Sequence, residues 1–119
     1  MEVRSLDAAE PFVTADGSTI RELCGLPTGG TVNQSLAEAT LAPGRSTERH
    51  YHAETEEVYF VLEGEGEMEL DGERADVRPG DAVPIPPGAW HELANTGPGP
   101  LRILCTCAPP YRHEDTHFA

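Results

Sequence analysis

Glycine and proline punctuate this chain so densely that few intervals could hold a helix of ordinary length. Twelve Gly and eleven Pro fall within 119 residues. They gather into turn signals at Asp16-Gly17, Gly29-Gly30, Pro43-Gly44, 64–66, Asp71-Gly72, Pro79-Gly80, Pro86-Pro87-Gly88 and 95–100. Such residues set backbone angles that end regular structure. Between them lie short segments of strand character at 20–24, 32–41, 58–62, 67–70, 82–85, 89–94 and 101–107. The pattern predicts an all-β sandwich or barrel. Asp71-Gly72, set between Met68-Glu69-Leu70 and Glu73-Arg74-Ala75, predicts a hairpin, because Asp-Gly tolerates the positive φ angles of a type I′ turn.

Two segments depart from simple alternation. Val58-Tyr59-Phe60-Val61-Leu62 is apolar on both faces, which predicts a strand covered on both sides and hence a homodimer packed through this sheet. Leu101, Ile103, Cys105 and Cys107 share one face of the last long strand, so the two thiols lie side by side, pointing inward and poorly placed for a disulfide.

Size and charge remove whole classes of function. A chain of 12.8 kDa has room for one domain spanning 1–119. Eight basic residues against 21 acidic ones leave a net charge of −13, which offers no attraction for a phosphate backbone, so nucleic acid is not an expected partner. All eight basic residues are Arg, and without Lys there is no Schiff base, pyridoxal lysine or P-loop. Three cysteines with no secretory leader predict reduced thiols rather than a disulfide framework. The longest apolar run is too short to cross a bilayer, so the expectation is a soluble cytoplasmic protein with no membrane partner. Gly-x-Ser-x-Gly, Gly-x-Gly-x-x-Gly and Cys-x-x-Cys are all absent.

Chemistry concentrates in four residues. His50 and His52 stand at i and i+2, on one side of an extended chain. Turn-like residues 53–56 then lead to Glu57 at the head of the next strand, and a further strand carries His91. Three imidazoles and a carboxylate suit one divalent ion such as Mn, Fe, Ni, Co, Cu or Zn, with two positions left open if coordination is octahedral.

These residues complete two motifs that resemble those of the cupin superfamily. The first runs Gly44, five residues, His50, one, His52, four, Glu57, six, Gly64; the second runs Gly80, five, Pro86, one, Gly88, two, His91, three, Asn95. The resemblance covers 44–95 and implies a jelly roll, or double-stranded β-helix, with the metal held inside by His50, His52, Glu57 and His91. It also implies that Gly44, Gly64, Gly80 and Gly88 sit at corners where a Cβ would clash, and that Asn95 closes a turn.

The resemblance leaves the reaction open between a dioxygenase, with Glu57 doubling as proton acceptor, an isomerase similar to the phosphomannose-isomerase branch, and a non-catalytic ligand carrier. A divalent ion with one carboxylate ligand keeps a local charge near +1, so the expected substrate is a small anionic or enolisable molecule. Tyr59 and Val61 share the alternation of Glu57, and Leu93 that of His91, making them candidate substrate contacts. Arg102, with Arg45 and Arg49, is a candidate carboxylate clamp at the barrel mouth. Trp90 and Tyr51 alternate away from the ligands, toward core or dimer contacts. The tail His113-Glu114-Asp115-Thr116-His117 is expected to be solvated or to cap the barrel opening.

Overall fold

A computed structural model describes residues 1–119 and shows an all-β jelly roll of eleven strands with two short 3-10 turns. In chain order the strands are β1 Phe12–Val13, β2 Thr19–Cys24, β3 Ser35–Leu41, β4 His50–His52, β5 Glu56–Glu63, β6 Gly66–Leu70, β7 Glu73–Val77, β8 Ala82–Ile85, β9 His91–Asn95, β10 Leu101–Ala108 and β11 Thr116–Phe118. They form a six-stranded sheet in the order β1-β2-β3-β10-β5-β8 and a five-stranded sheet in the order β11-β4-β9-β6-β7, with every pairing antiparallel. No helix is long and apolar enough to cross a membrane.

Alternation decides what fills the space between the sheets. Leu41, Tyr59, Val61, Met68, Ile85, Leu93, Leu101 and Ile103 are buried and pack into one cluster that draws on both sheets. Removing such side chains from water is the main driving force for closing the roll. On β5 the inward residues Tyr59 and Val61 are buried, whereas Phe60 and Leu62 keep 40% and 36% of their surface exposed on the outer side. Within one chain, therefore, β5 is covered on one face only.

The turns follow the local chemistry. Asp71 (φ 48) and Gly72 (φ 90) join β6 to β7 with the positive angles expected of this hairpin. Gly44, Gly64, Gly80 and Gly88 all have positive φ. A clash is the reason at only one of them: a Cβ on Gly64 would lie 2.3 Å from the Pro100 carbonyl oxygen, while the other three face open space. Their constraint is the backbone angle itself. Asn95 does close a turn, donating to the carbonyls of Leu41 and Gly99 and accepting from the Gly97 amide.

The C-terminal segment is more ordered than its polarity suggests. Strand β11 pairs with β4, opposing Thr116 to His52 and Phe118 to His50. Just before it, the buried Asp115 carboxylate accepts the amide hydrogens of Ala53, Glu54 and Thr55. Those three residues form the turn between His52 and Glu57, so the tail fixes the spacing of the site. Charge-assisted bonds to successive amides also explain why the Asp115 carboxyl lies below its ordinary range against the opposing effect of burial.

Gly64→Ala should destabilise the fold by about 3 kcal/mol, from a forced positive φ and contact with the Pro100 carbonyl. Gly80→Ala should cost roughly 1 kcal/mol, from the angle alone. Chemical denaturation of the two variants measures the difference.

Candidate metal centre

Strands from both sheets bring the four chemistry-bearing residues together. His50 and His91 oppose each other across β4 and β9, with ring centroids 4.2 Å apart. His52 follows on the same face of β4, and the ligand atoms of the three histidines lie within 4.8 Å of one another. Glu57 arrives from the facing sheet, placing Oε1 3.4 Å from both His52 Nε2 and His91 Nε2. All four side chains are buried, His91 completely.

The outer nitrogens of the rings determine what the inner ones can do. His50 Nδ1 lies 2.7 Å from the Glu48 carbonyl and His91 Nδ1 lies 3.0 Å from the Ala89 carbonyl. A carbonyl only accepts, so each Nδ1 carries a hydrogen, and in the neutral ring each Nε2 is left with a lone pair facing inward. Thr116 spends its hydroxyl hydrogen on the Arg112 carbonyl. Its oxygen is therefore free to accept from His52 Nδ1, 3.2 Å away. On the carboxylate, Oε2 accepts from the Cys107 thiol at 3.3 Å, while Oε1 has no hydrogen-bond partner, nor has His91 Nε2.

Buried lone pairs without donors are costly, and here they face one another. At 3.4 Å the contacts of Oε1 with the two Nε2 atoms are too long for good hydrogen bonds. They suit ligands that share a common ion, since donors about 2.0–2.2 Å from one centre stand roughly 3–3.5 Å from each other. The three histidines can hold one metal ion, and Glu57 faces the same point.

Without an ion, a proton substitutes for part of its charge. Burial opposes ionisation of Glu57, but contacts with His52 and His91 prevail and hold its carboxyl down at about 2. Burial also disfavours the His52 cation, yet Glu57, and behind it Asp115, raise its pKa above the ordinary value. His50 is lowered, by burial first and then by His91. Burial followed by the charge of Glu57 drives the Tyr59 phenol and the Cys105 and Cys107 thiols upward, so all three remain protonated. The thiols are donors or neutral wall, not thiolate ligands.

A cavity of about 60 Å³ opens beside these residues. Its wall includes His50, His52, Glu57, Tyr59, Leu93, Cys105 and Cys107. Among the sequence-predicted substrate contacts, Tyr59 and Leu93 border the cavity, while Val61 is buried in the core beside it. Arg102, the candidate clamp at the barrel mouth, stands elsewhere: it lies on the outer face, paired with Glu38 and Glu63, and does not border the cavity. Alternation explains its place, because its strand neighbours Leu101 and Ile103 point inward. Arg49 likewise pairs with Glu69 and lies over Trp90, and Arg45 is exposed. Tyr51, Trp90 and His117 form a half-exposed aromatic group on the outside rather than core.

Sequence reasoning did not single out Asp16, Ser18, Glu22 or Ser35, which also border the cavity. Asp16-Gly17 read only as a turn, and Glu22 and Ser35 sat in segments read for strand character alone. Nothing local could mark them, since their common cavity exists only after β2 and β3 join the roll.

The matched sequence pattern agrees with the architecture. Residues 37–107 match the family described as Cupin domain, and the chain belongs to that family. It is 48% identical over 112 residues to an uncharacterised protein of Methanocaldococcus jannaschii, covering 94% of this chain and 90% of that one. It is 31% identical over 93 residues to the polyketide synthase CurC of Streptomyces cyaneus, covering 78% of this chain but 60% of that protein. Among solved structures, the polyketide cyclase RemF from Streptomyces resistomycificus superimposes with a TM-score of 0.84 at 25% identity, covering 100% of this chain and 85% of that one.

The metal-free protein should show a two-sided pH dependence. The depressed Glu57 adds stability above its ordinary value of 4.5 that is lost as pH falls toward about 2. The raised His52 adds stability below its ordinary 6.5 that is lost as pH rises through its elevated value. Thermal unfolding of chelator-treated protein across this range should show both limbs, and Glu57→Gln should flatten the alkaline one.

Proposed function

We propose that this chain is a mononuclear metal-dependent cupin that acts on a small enolisable metabolite, with His50, His52, Glu57 and His91 as the ligands of one divalent ion. The reading is carried by one observation: Glu57 Oε1 and His91 Nε2 are buried, lack hydrogen-bond partners and face the same point as the other two imidazoles. A bound ion would supply Lewis-acid charge beside a substrate oxygen and, if it were Fe, Mn, Ni or Cu, a redox couple as well.

The chain's own groups complete the chemistry. The Glu57 carboxylate stays ionised at neutral pH and borders the cavity, the form in which it can face an ion. Cys107 holds Oε2 and leaves Oε1 toward the histidines. The Tyr59 phenol, kept protonated, offers a hydrogen from the adjoining wall. Leu93, Leu101, Ile103 and Leu41 line the cavity with apolar surface that strengthens these polar contacts by excluding water. The likeness to polyketide proteins supports an enolisable carbonyl compound. The cavity is well below the roughly 300–1,000 Å³ of drug-sized pockets, which supports a ligand of only a few heavy atoms.

Native purification followed by elemental analysis should find about one transition-metal ion per chain. Glu57→Gln and His91→Ala should fold and lose most of it, with affinity down by roughly tenfold or more. Unchanged metal content in both variants would overturn the ligand assignment. Oxygen consumption with an α-hydroxyketone substrate would favour the dioxygenase reading; turnover without it would favour isomerase-type proton transfer.

The outer face of β5 supports a homodimer. Val58, Phe60 and Leu62 share that face, and their cross-strand neighbours include Leu104 opposite Phe60 and Pro84 opposite Val58. A second copy seated here would cover both exposed apolar side chains of β5, Phe60 and Leu62. Phe60→Glu should shift the mass measured by light scattering from dimer to monomer; a monomeric wild type would end this reading.

A further inference from the structure

The cavity bordered by three of the four candidate ligands, His50, His52 and Glu57, has further polar groups in its wall. The loop between β1 and β2 folds over it, and Thr14, Asp16 and Ser18 all border the cavity. Asp16 Oδ1 accepts from the Thr14 hydroxyl, the Ser18 amide and the Ser18 hydroxyl. The Glu48 amide donates to the Asp16 carbonyl, tying the loop to the segment leading into β4. Three bonds thus hold Oδ1, while Oδ2 has none from the protein. The Asp16 charge bears on His50, Tyr59, Tyr111 and Cys105, which surround the same space.

The charges around this space are unevenly distributed. Asp16, Glu22 and Glu57 border the cavity, and no Arg does. The chain has no Lys at all. Several guanidinium groups are engaged elsewhere: Arg102 with Glu38 and Glu63, Arg49 with Glu69, and Arg4 with Glu2 and the carbonyls of Leu23, Thr28 and Gly29. A divalent ion with three carboxylates around the cavity sums to −1. A dianion entering it would meet like charge in a low-dielectric space with no guanidinium to receive it.

We infer that the cavity selects a neutral hydroxyl-bearing carbonyl compound over a dianion, with Asp16 accepting a hydrogen bond from the ligand hydroxyl. This rests on the metal-centre reading above and narrows it, replacing the broader expectation of an anionic substrate. Asp16 is then a specificity residue that touches the ligand, held in place by Thr14 and Ser18.

The test is calorimetric titration of zinc-loaded protein with two probes of similar size, hydroxyacetone and oxalate. Asp16→Asn keeps an oxygen for the Thr14 and Ser18 bonds and removes only the charge. It should weaken hydroxyacetone about tenfold and tighten oxalate about tenfold, moving their ratio by about a hundredfold. Ser18→Ala, which keeps the charge, should leave oxalate within about twofold. Constants that stay put in Asp16→Asn, or move in the same direction for both probes, would overturn the inference while zinc content remains full. Wild-type protein that fails to retain zinc would instead overturn the metal-centre reading, and this inference with it.

Discussion

Four electron-pair donors face one another inside a sheet sandwich, and two of their atoms, Glu57 Oε1 and His91 Nε2, have no hydrogen-bond partner. The arrangement holds because each imidazole has its other nitrogen committed: Glu48 and Ala89 offer carbonyls, and Thr116 offers a hydroxyl oxygen already stripped of its donor role. Buried polar groups are normally paired, so a cluster with inward lone pairs is stable only if a positive charge joins it. In the free chain the His52 proton goes some way toward this, drawn upward by Glu57 and Asp115. A divalent ion does so more fully, because it can meet all the donors at once.

The rest of the fold serves that geometry. Sheet pairing puts Ser35, Cys107, Glu57 and Ile85 in one row across β3, β10, β5 and β8. The thiol next to Glu57 is a product of this register, and burial keeps it protonated so that it can donate to the carboxylate. On the facing sheet, the pairing of β4 with β9 sets His50 opposite His91. The turn from His52 to Glu57 would have three free amides without Asp115, and the C-terminal segment supplies their acceptor. A residue near the end of the chain thereby governs the distance between two candidate ligands.

Charge gives the cavity its second character. The chain is strongly acidic, yet the distribution matters more than the total. Five of its eight arginines pair with glutamates and none borders the cavity, leaving that space with carboxylates, hydroxyls, thiols and apolar walls. In such an interior a bound ion would be the only strong positive centre. Under the proposed reading it would favour ligands that bring an oxygen to that centre and a hydrogen to the Asp16 carboxylate.

The local code was legible because it depends on near neighbours along the chain. Gly and Pro positions announced the turns, Asp71-Gly72 its hairpin, period-two alternation the inward row of β10, and the His-x-His pair with Glu57 and His91 the candidate ligands. What escaped the sequence depends on contacts across many residues. Arg102 seemed free to serve the barrel mouth until β3 and β5 brought Glu38 and Glu63 to it. The 113–117 stretch resembled a solvated tail until Asp115 met the 53–55 amides. Asp16 was a turn residue until the β1–β2 loop closed over the cavity. Spacing along a strand determines which residues share a face; only the register between strands and the closure of two sheets decide which faces share a space.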